Sequence, residues 1–431
     1  MECFLIEGGH RLSGSIVPQG AKNEALQVIS ATLLTTEEVV IDNIPNILDV
    51  NNLIKLLTDI GVKVTKLSEN KYSFCADEVN LDYLESVEFV EKCSSLRGSV
   101  LLYGPLLGRF GKATIAKPGG DKIGRRRLDT HFLGFKNLGA HFEHREERNV
   151  YELKAEKLVG TYMLLDEASV TGTANIVMAA VLAEGTTTIY NAACEPYLQQ
   201  LCSMLNAMGA RVFGAGSSTI TVEGVTLSSL HPCEHTTVGD RIEAGTFLMG
   251  GALMGGPVVA RGIDPSFLRM ALMKFGAMGC AVDIGDDWIS VGRTRPLRAV
   301  EIQTLPHPGF PTDLQAQFML LAAVAEGSSV ITENVFENRF MFAAEIVRMG
   351  ANVTIEDHHA VVEGVSRLQG TGVKATDLRC GAALVLAGVF AEGATQVHNI
   401  HHIDRGYEDY VGKLAALGAR LRREPDDEFE E

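Results

Sequence analysis

AEGTTTIYNAACEPYLQQLCSMLNAMGA, residues 183–210, contains the pattern that decides the fold. It opens with Ala183-Glu184-Gly185, which ends an apolar helical run and precedes a short β-like stretch. It closes with Met208-Gly209-Ala210, which ends a second helix. Glycine in these positions is typical of helix C-termini, because it accepts the left-handed backbone that ends many helices. The stretch therefore predicts two helices, each stopped by glycine and followed by strand.

The pattern recurs roughly every 70 residues, which indicates an internally repeated architecture. Two more strong copies pair Ala325-Glu326-Gly327 with Met349-Gly350-Ala351, and Ala391-Glu392-Gly393 with Leu417-Gly418-Ala419. Weaker copies end at Ile60-Gly61-Val62, Leu138-Gly139-Ala140 and Met278-Gly279-Cys280. Each copy predicts a βαββαβ unit: strand, apolar helix, two strands, second helix, strand. Such layered units must bury their helices against sister units, so six copies favour two groups of three.

Length and composition support this division. At 431 residues and 46% hydrophobic content, the chain exceeds the usual size of one core, so we predict two domains. The polar, proline-containing segment Ser228-Ser229-Leu230-His231-Pro232 is the best boundary. Residues 424–431 are rich in acidic side chains, and we predict a disordered tail there.

Charge and cysteine usage exclude several functions. A formal net charge of -16 opposes general binding to nucleic acid or to an anionic membrane. The N-terminus lacks a signal-peptide pattern and no apolar run could span a bilayer, so we predict a cytoplasmic protein. The 8 cysteines form no Cys-x-x-Cys pairs, and the cluster His231-Pro232-Cys233-Glu234-His235 fits no zinc spacing. We therefore predict neither disulfides nor a metal site, and no other cofactor. The oligomeric state stays open.

One basic loop is conspicuous in this acidic chain: Pro118-Gly119-Gly120-Asp121-Lys122-Ile123-Gly124-Arg125-Arg126-Arg127-Leu128-Asp129-Thr130-His131. Its glycines make the backbone flexible, and its guanidinium groups match the oxygens of phosphate or carboxylate two at a time. We interpret it as a lid that grips an anionic ligand. The alternative is a solvated basic turn, and the loop alone does not decide between them.

The starts of the repeated helices carry mostly polar side chains. About fourteen residues before the end of the first helix in each copy lie Asn23, Arg97, Thr171, Ile242, Asp313 and Arg379. Capping explains Thr, Asn and Asp there, but a cation at a helix start is unfavourable, so the two arginines indicate a bound anion. A second shared register holds Asp49, Arg339 and Arg405, with the Arg125–Arg127 run in the corresponding region of the second copy. Two sets of polar residues, each at the same place in successive copies, predict a ligand site.

Four residues near these registers have more than one interpretation. Lys22, beside the free N–H groups of a helix start, favours a phosphate seat over a solvated side chain. Asp49 is best explained as a helix cap. Asp121 is either a turn former or a proton donor. Thr312 has capping-box spacing to a glutamine, which would leave the Asp313 carboxylate free as a base or a hydroxyl-positioning group.

Six motifs together resemble one family. They are Gly20-Ala21-Lys22-Asn23, Pro118-Gly119-Gly120, Pro311-Thr312-Asp313-Leu314-Gln315-Ala316-Gln317, Phe336-Glu337-Asn338-Arg339-Phe340, Ala375-Thr376-Asp377-Leu378-Arg379 and His402-Ile403-Asp404-Arg405-Gly406-Tyr407. From about Leu5 to Arg422 the chain resembles the UDP-N-acetylglucosamine enolpyruvyltransferase (1-carboxyvinyltransferase) family. The resemblance implies an α/β, two-domain enolpyruvyltransferase fold (an inside-out α/β barrel) with three βαββαβ-type units per domain and the active site in the cleft between domains. It implies residues 21–230, including the 118–131 loop, as the first domain and residues 1–20 and 231–423 as the second.

The resemblance also implies a reaction. The enolpyruvyl group of phosphoenolpyruvate moves to the 3′-hydroxyl of UDP-N-acetylglucosamine, and phosphate leaves through a tetrahedral intermediate, in the first committed step of peptidoglycan synthesis. These two small molecules are the implied partners.

Site residues carry over by position. The resemblance implies that Lys22, Arg126 and Arg405 contact the phosphate of phosphoenolpyruvate and that Arg339 and Arg379 contact its carboxylate. Asn23 is implied as a further contact to phosphoenolpyruvate. The nucleotide sugar is implied to contact Arg97, Arg126, Arg127, Leu128, Asp129, Thr130, Ser169, Val170, Asp313 and Val335. The implied catalytic set is Lys22, Asp121, Asp313 as base, and Arg405. Such cations would neutralise the charge that develops on the leaving phosphate.

The chain departs from the commonest family pattern at Asp121, where most members have a cysteine that is alkylated by the antibiotic fosfomycin. An unperturbed aspartate has a pKa of about 3.9, against about 8.5 for cysteine, so this carboxyl needs a raised pKa to deliver a proton near neutrality. A bound phosphate would favour that change and nearby arginines would oppose it. We predict turnover without a cysteinyl adduct and resistance to fosfomycin. Glu167, often lysine in relatives, leaves a uridine-side contact open.

Two alternatives remain. The sister enzyme that transfers the same group to shikimate phosphate shares the fold, but its motifs match this sequence poorly. A homologue that binds the nucleotide sugar without catalysis would not need the second set of arginines.

Overall fold

The computed structural model describes residues 2–426. Its strands are β1 (Glu2–Glu7), β2 (Gly14–Ile16), β3 (Glu38–Asp42), β4 (Lys63–Lys66), β5 (Tyr72–Cys75), β6 (Lys112–Ile115), β7 (His141–Arg145), β8 (Val150–Lys154), β9 (Tyr162–Leu164), β10 (Thr186–Tyr190), β11 (Arg211–Phe213), β12 (Thr219–Glu223), β13 (Cys233–Thr236), β14 (Val258–Arg261), β15 (Ala281–Ile284), β16 (Trp288–Gly292), β17 (Glu301–Gln303), β18 (Ser328–Thr332), β19 (Asn352–Glu356), β20 (His359–Glu363), β21 (Gly372–Lys374), β22 (Ala394–His398) and β23 (Arg420–Pro425).

Its α-helices are α1 (Lys22–Ala31), α2 (Leu48–Asp59), α3 (Val87–Ser95), α4 (Tyr103–Phe110), α5 (Asp129–Asn137), α6 (Val170–Ala180), α7 (Pro196–Ala207), α8 (Arg241–Met254), α9 (Arg269–Ala277), α10 (Gln315–Ala323), α11 (Met341–Arg348), α12 (Leu378–Phe390), α13 (His401–Asp404) and α14 (Tyr410–Ala416). Short 3-10 helices directly precede α4, α9 and α10, at Arg97–Leu102, Pro265–Leu268 and Thr312–Leu314. Within residues 2–426, no helix combines the length and the apolar character needed to cross a bilayer.

The chain divides into two compact units. We call residues 20–120 and 126–238 the Lys22 unit, and the described parts of residues 1–19, 121–125 and 239–431 the Arg405 unit. The division differs from the predicted boundary at residue 231, because β13 (Cys233–Thr236) pairs with β3 and so stays with the Lys22 unit. It also assigns Asp121–Arg125, a piece of the basic loop, to the Arg405 unit.

Each unit contains three small sheets, in agreement with the predicted α/β class. The Lys22 unit has the strand orders β13-β3-β5-β4, β6-β8-β7 and β11-β12-β10-β9. The Arg405 unit has β15-β16-β14-β2, β17-β18-β20-β19 and β21-β22-β1-β23. None of these described sheets closes on itself into a barrel.

The order of elements within a copy differs from the predicted βαββαβ. The third copy runs β9, α6, β10, α7, β11, β12, so both helices come before the final pair of strands. The eleven positions from Gly185 to Glu195 hold only one strand, β10, before α7 begins. The hairpin forms after α7 instead, where Gly214 and Gly216 adopt φ values of +80° and +85° and turn the chain between β11 and β12.

Buried helices form the core of each unit. In the Arg405 unit, every residue of α8 and of α12 except the last one is buried, and both helices pack on α10. In the Lys22 unit, α6 packs against α4 and α5. Strands such as β10 and β20 alternate buried and exposed residues, so one face of each sheet covers the helices while the other faces solvent. The apolar runs that precede each helix-stop glycine therefore become the interior.

Part of the predicted disordered tail is ordered. Glu424 and Pro425 belong to β23, which pairs with β1. Asp426 is buried, and its Oδ2 lies 2.9 Å from His398 Nδ1. The prediction was wrong for these three residues, because strand pairing and the buried contact between His398 and Asp426 outweigh their acidic composition. Residues 427–431 lie outside the described part of the chain.

Candidate functional site

The predicted register of helix starts is confirmed. Asn23, Thr171, Ile242 and Arg379 are each the second residue of an α-helix, Arg97 begins a 3-10 turn, and Asp313 is second in another. The register was readable because the helix-stop glycines mark one end of helices of nearly constant length. The polar side chains at these starts form two groups, one in each unit.

The Arg405 unit holds a carboxylate between two buried arginines. Arg339 donates from Nη2 to Asp313 Oδ1, and Arg379 Nη2 lies 3.4 Å from Asp313 Oδ2. Both guanidinium groups are almost fully buried, with side-chain exposures of 6% and 5%, while Asp313 keeps 24% of its side chain exposed. The more open member of this cluster is thus the carboxylate, the group predicted to meet a hydroxyl.

Arg379 is held in its charged form by its surroundings. Burial opposes the charge, but Tyr407 and Asp313 outweigh it and raise the pKa of this guanidinium. Arg379 Nη1 donates to the Tyr407 hydroxyl at 3.1 Å, and the guanidinium lies 5.4 Å from the centre of the tyrosine ring. In contrast, Arg339 Nε is buried with no acceptor among the described residues. An anion beside Arg339 would satisfy that donor.

Two buried carboxylates that support this cluster were missed by the sequence analysis. Asp377 caps α12 by accepting from the backbone N–H groups of Arg379 and Cys380 at 2.8 and 3.1 Å, and it lies 3.6 Å from Arg339. Its position before an apolar run is a capping signal that could have identified it. Glu333 accepts from the Thr304 and Thr312 hydroxyls at 2.8 and 2.9 Å. No local pattern announces that role, because its donors come from three separate segments.

The predicted capping box at Thr312 was wrong. The Thr312 hydroxyl donates to Glu333 and makes no cap contact, and neither side-chain polar atom of buried Gln315 has a partner among the described residues. The expectation that Asp313 is thereby left free was also wrong, since two arginines engage it. Glu333 competes successfully for the hydroxyl because a buried carboxylate requires donors. It also accepts from the backbone N–H of Val335 at 2.8 Å.

Asp121 faces Arg405 and His402 within the Arg405 unit. Arg405 Nη1 lies 2.6 Å from Asp121 Oδ1, and His402 Nδ1 lies 3.7 Å from the same oxygen. The aspartate and arginine side chains are only 13% and 14% exposed. The cation predicted to oppose protonation of this carboxyl is therefore in direct contact with it. His402 was not singled out from the sequence, and its ring stacks on His401 at a centroid distance of 4.2 Å.

The basic loop has no regular structure until α5 begins at Asp129. Gly120 adopts a φ of +108°, and a Cβ there would lie 2.8 Å from the Arg97 side chain, so glycine lets the loop pass close to it. Arg97 Nη2 donates to the backbone oxygen of Arg126 at 3.1 Å. Burial and the neighbouring charge of Arg126 lower the pKa of Arg97 to about 10. Arg97 Nε is buried without an acceptor among the described residues, so this pair of cations also suits an anion.

The Lys22 unit contains a second, nearly buried ion pair. Lys22 Nζ lies 2.7 Å from Asp49 Oδ2, with side-chain exposures of 10% and 6%. The interpretation of Asp49 as a helix cap was wrong, because it is the second residue of α2 and the start of that helix has no side-chain cap. Packing of α1 against α2 brings the two residues together. Asn23 follows Lys22 in α1 and is half-buried.

The remaining predicted contacts of this unit cluster around the starts of α5 and α6. Thr130 donates to Asp166 and Glu167 at 3.2 and 3.4 Å, and Ser169 caps α6 by accepting from Gly172 N–H at 3.2 Å. Leu128 is the residue before α5, Val170 is the first of α6, and Arg127 pairs with Asp129 at the surface at 2.9 Å. The Ser169 hydroxyl therefore acts as a helix cap in this structure.

Comparisons with known proteins show what the chain is similar to. Residues 6–414 match the family model for EPSP synthase (3-phosphoshikimate 1-carboxyvinyltransferase). A relative from Bacteroides fragilis is 52% identical over 435 residues, covering 98% of this chain and 100% of the relative. A relative from Porphyromonas gingivalis is 48% identical with the same coverage, and both are named UDP-N-acetylglucosamine 1-carboxyvinyltransferase.

Solved structures show the same fold. The crystal structure of the enolpyruvyl transferase NikO from Streptomyces tendae is similar with a TM-score of 0.87 at 27% identity, covering 98% of this chain and 99% of that one. An EPSP synthase from Acinetobacter baumannii has a TM-score of 0.75 at 17% identity, covering 99% and 100%, which speaks to the fold alone.

Proposed function

Because the chain belongs to the UDP-N-acetylglucosamine 1-carboxyvinyltransferases of the enolpyruvyl transferase family, we propose that it transfers the enolpyruvyl group of phosphoenolpyruvate to the 3′-hydroxyl of UDP-N-acetylglucosamine. Phosphate is released, and the product enters peptidoglycan synthesis. The observation that carries the mechanism is Asp313, a partly exposed carboxylate held by two buried arginines.

In the addition step Asp313 takes the proton of the 3′-hydroxyl, and the oxygen of that hydroxyl bonds to C2 of phosphoenolpyruvate. C3 of phosphoenolpyruvate gains a proton from Asp121 in the same step, which gives a tetrahedral intermediate. In the elimination step a C3 proton returns to the Asp121 carboxylate, the C–H electron pair re-forms the C2–C3 double bond, and the C2–O bond to phosphate breaks with its electron pair leaving on the phosphate. The protons and electron pairs balance without an added cofactor.

The cations act on the charges of phosphoenolpyruvate. We assign Arg339 and Arg379 to its carboxylate, and the contacts of both with Asp313 would then couple binding to the position of the base. We assign Lys22, Arg126 and Arg405 to its phosphate, with Asn23 beside them. Stabilising the negative charge that grows on the leaving phosphate is the main electrostatic requirement of the reaction.

The contact between Asp121 and Arg405 gives the phosphate a second role. When phosphate engages Arg405, the aspartate loses part of its compensating cation and gains a neighbouring anion, and both changes favour the protonated carboxyl. Asp121 would thus become an acid when phosphoenolpyruvate is bound. The nucleotide sugar is assigned to the remaining predicted contacts, which are Arg97, Arg126, Arg127, Leu128, Asp129, Thr130, Ser169, Val170, Asp313 and Val335.

The test is to incubate the protein with phosphoenolpyruvate and either UDP-N-acetylglucosamine or shikimate 3-phosphate and to measure released phosphate. We expect release with the nucleotide sugar only. Release with shikimate 3-phosphate only would reject the assignment, and binding of the nucleotide sugar without any release would favour the non-catalytic alternative. All eight cysteines are free thiols, which suits a reducing compartment, and we place the reaction in the cytoplasm.

A further inference from the structure

A short exposed segment of the Arg405 unit holds the piece of the basic loop that carries Asp121. The segment is Glu337-Asn338, which follows Val335 and Phe336 after β18. Glu337 Oε1 accepts from the backbone N–H of Arg125 at 2.9 Å. The backbone N–H of Asn338 donates to the carbonyl oxygen of Ile123 at 3.0 Å. Two hydrogen bonds therefore attach the loop to this segment, and both use loop backbone.

The loop backbone is shaped to fit the Glu337 carboxylate. Gly124 adopts a φ of +142°, and a Cβ there would lie 2.4 Å from Glu337 Oε2. A side chain at this position would be strained and would also collide with the carboxylate. Next to it, Ile123 is buried with 4% exposure, whereas Lys122 and Arg125 are exposed. The contact thus anchors the loop by its backbone and one apolar side chain and leaves its basic side chains available.

The segment that carries Glu337 is itself rigidly supported. Glu333 accepts from the backbone N–H groups of Val335 and Phe336 at 2.8 and 3.1 Å, and its other donors are the two threonine hydroxyls described above. The guanidinium of Arg339 lies 5.5 Å from the centre of the Phe336 ring. Glu337 therefore projects from the same turn that delivers Arg339 to Asp313.

We propose that Glu337 is a positioning residue for the reaction: by holding Ile123–Arg125, it keeps Asp121 against Arg405. The path from the anchor to the acid is short, since Asp121 lies three residues before Gly124. The function of the contact rests on the proposed reaction, but the contact itself does not. The backbone N–H groups of Glu337 itself and of Arg125 lower the pKa of the Glu337 carboxyl, so this acceptor stays charged at neutral pH.

Trypsin reports on the contact directly, because Lys122, Arg125, Arg126 and Arg127 are cleavage sites within the loop. Cleavage needs the loop to detach, and loss of one charge-assisted hydrogen bond at an exposed position should raise the detached fraction about fivefold to tenfold. We therefore expect Glu337→Ala to be cut in the loop about that much faster in the absence of substrates. Glu337→Gln keeps an oxygen acceptor for Arg125 N–H and should be cut at a rate close to that of the parent protein.

Turnover supplies the second readout. With phosphoenolpyruvate and UDP-N-acetylglucosamine, Glu337→Ala should lower kcat severalfold with a smaller change in KM. Glu337→Gln should keep most of the kcat of the parent protein. Glu356→Ala removes an exposed glutamate of β19 in the same unit and serves as the matched control, with parent-like cleavage and kcat. All variants should melt within a few degrees of the parent.

The outcomes separate the two proposals. Equal loop cleavage in Glu337→Ala and the parent would overturn the role of Glu337, as would faster cleavage with an unchanged kcat. Absence of turnover in the parent protein would overturn the proposed reaction, and the cleavage rates would still decide whether Glu337 holds the loop.

Discussion

Lys22 and Asp49 form an ion pair at 2.7 Å that water hardly reaches. Each residue lies in the first turn of its helix, and the carboxylate offsets the cost of burying an ammonium group. The pair keeps a cation poised in the Lys22 unit, and an incoming phosphate would have to share it with Asp49.

We expect Asp49→Ala to lower the free energy of unfolding by about 3 kcal/mol, because it leaves the Lys22 ammonium buried without this partner. Urea denaturation at neutral pH measures the change. Asp77→Ala is the control, since it breaks an exposed lysine pair of the same unit and should have little effect. Equal destabilisation by the two substitutions would show that burial of the Lys22 pair is energetically unimportant.

Asp313→Ala and Asp313→Asn should both abolish turnover, because neither side chain can accept the hydroxyl proton. Binding of UDP-N-acetylglucosamine, measured by calorimetry, should weaken much less. The asparagine variant preserves the volume beside Arg339 and Arg379 and so controls for disturbed packing. Turnover at the parent rate in Asp313→Asn would contradict the assignment of this residue as the base.

The parent protein should resist fosfomycin and form no covalent adduct with it, since Asp121 is a carboxylate at the position where the family pattern implies the thiol that the antibiotic alkylates. Asp121→Cys should acquire time-dependent inhibition and an adduct visible by mass spectrometry. Thiol chemistry depends on the thiolate, and the neighbouring Arg405 favours that anion. Potent time-dependent inhibition of the parent, or labelling of Asp121 itself, would contradict the prediction.

His131 makes the Lys22 unit sensitive to acid. Burial, with the charge of Arg97, lowers the pKa of His131 from 6.5 to about 3, and its ring nitrogens contact the Thr171 hydroxyl and the Asn175 amide at 3.1 and 3.0 Å. Between these pH values the unfolded chain binds a proton that the folded chain does not, so stability falls as pH drops below about 6.5.

At pH 5 this histidine alone should remove about 2 kcal/mol of the free energy of unfolding relative to pH 7.5. His131→Gln cannot titrate, and urea denaturation at the two pH values should show a smaller difference than in the parent. If the free energy of unfolding of His131→Gln fell between pH 7.5 and pH 5 by as much as that of the parent protein, the acid sensitivity would belong to other groups.

The sequence predicted the fold and the register of the site because both depend on local signals. Glycine at helix ends and polar residues at helix starts are set by backbone geometry, so the positions of Thr171, Asp313 and Arg379 could be counted back from the glycine that follows each helix. The order of strands and helices was mistaken because short strands and turns give weak signals. The hairpin that follows α7 depends on the glycines at 214 and 216, which were not interpreted as a turn.

Partners distant in sequence could not be predicted. Asp49 has the residue type and the sequence position of a helix cap, and only the packing of α1 on α2 makes it the counter-ion of Lys22. Glu333 has no distinguishing neighbour in the sequence, although it organises Thr304, Thr312 and the turn before Arg339. Glu337 belongs to a motif that was recognised, but its contact with Arg125 joins positions 212 residues apart.

The placement of β1 bears on how the molecule is made. This strand lies between β22 and β23 in its sheet, and Glu2 is paired with Pro425. During synthesis the first strand leaves the ribosome almost 400 residues before either neighbour exists, so it must wait while the whole Lys22 unit is translated. The Arg405 unit can therefore complete this sheet only after β22 and β23 have been made.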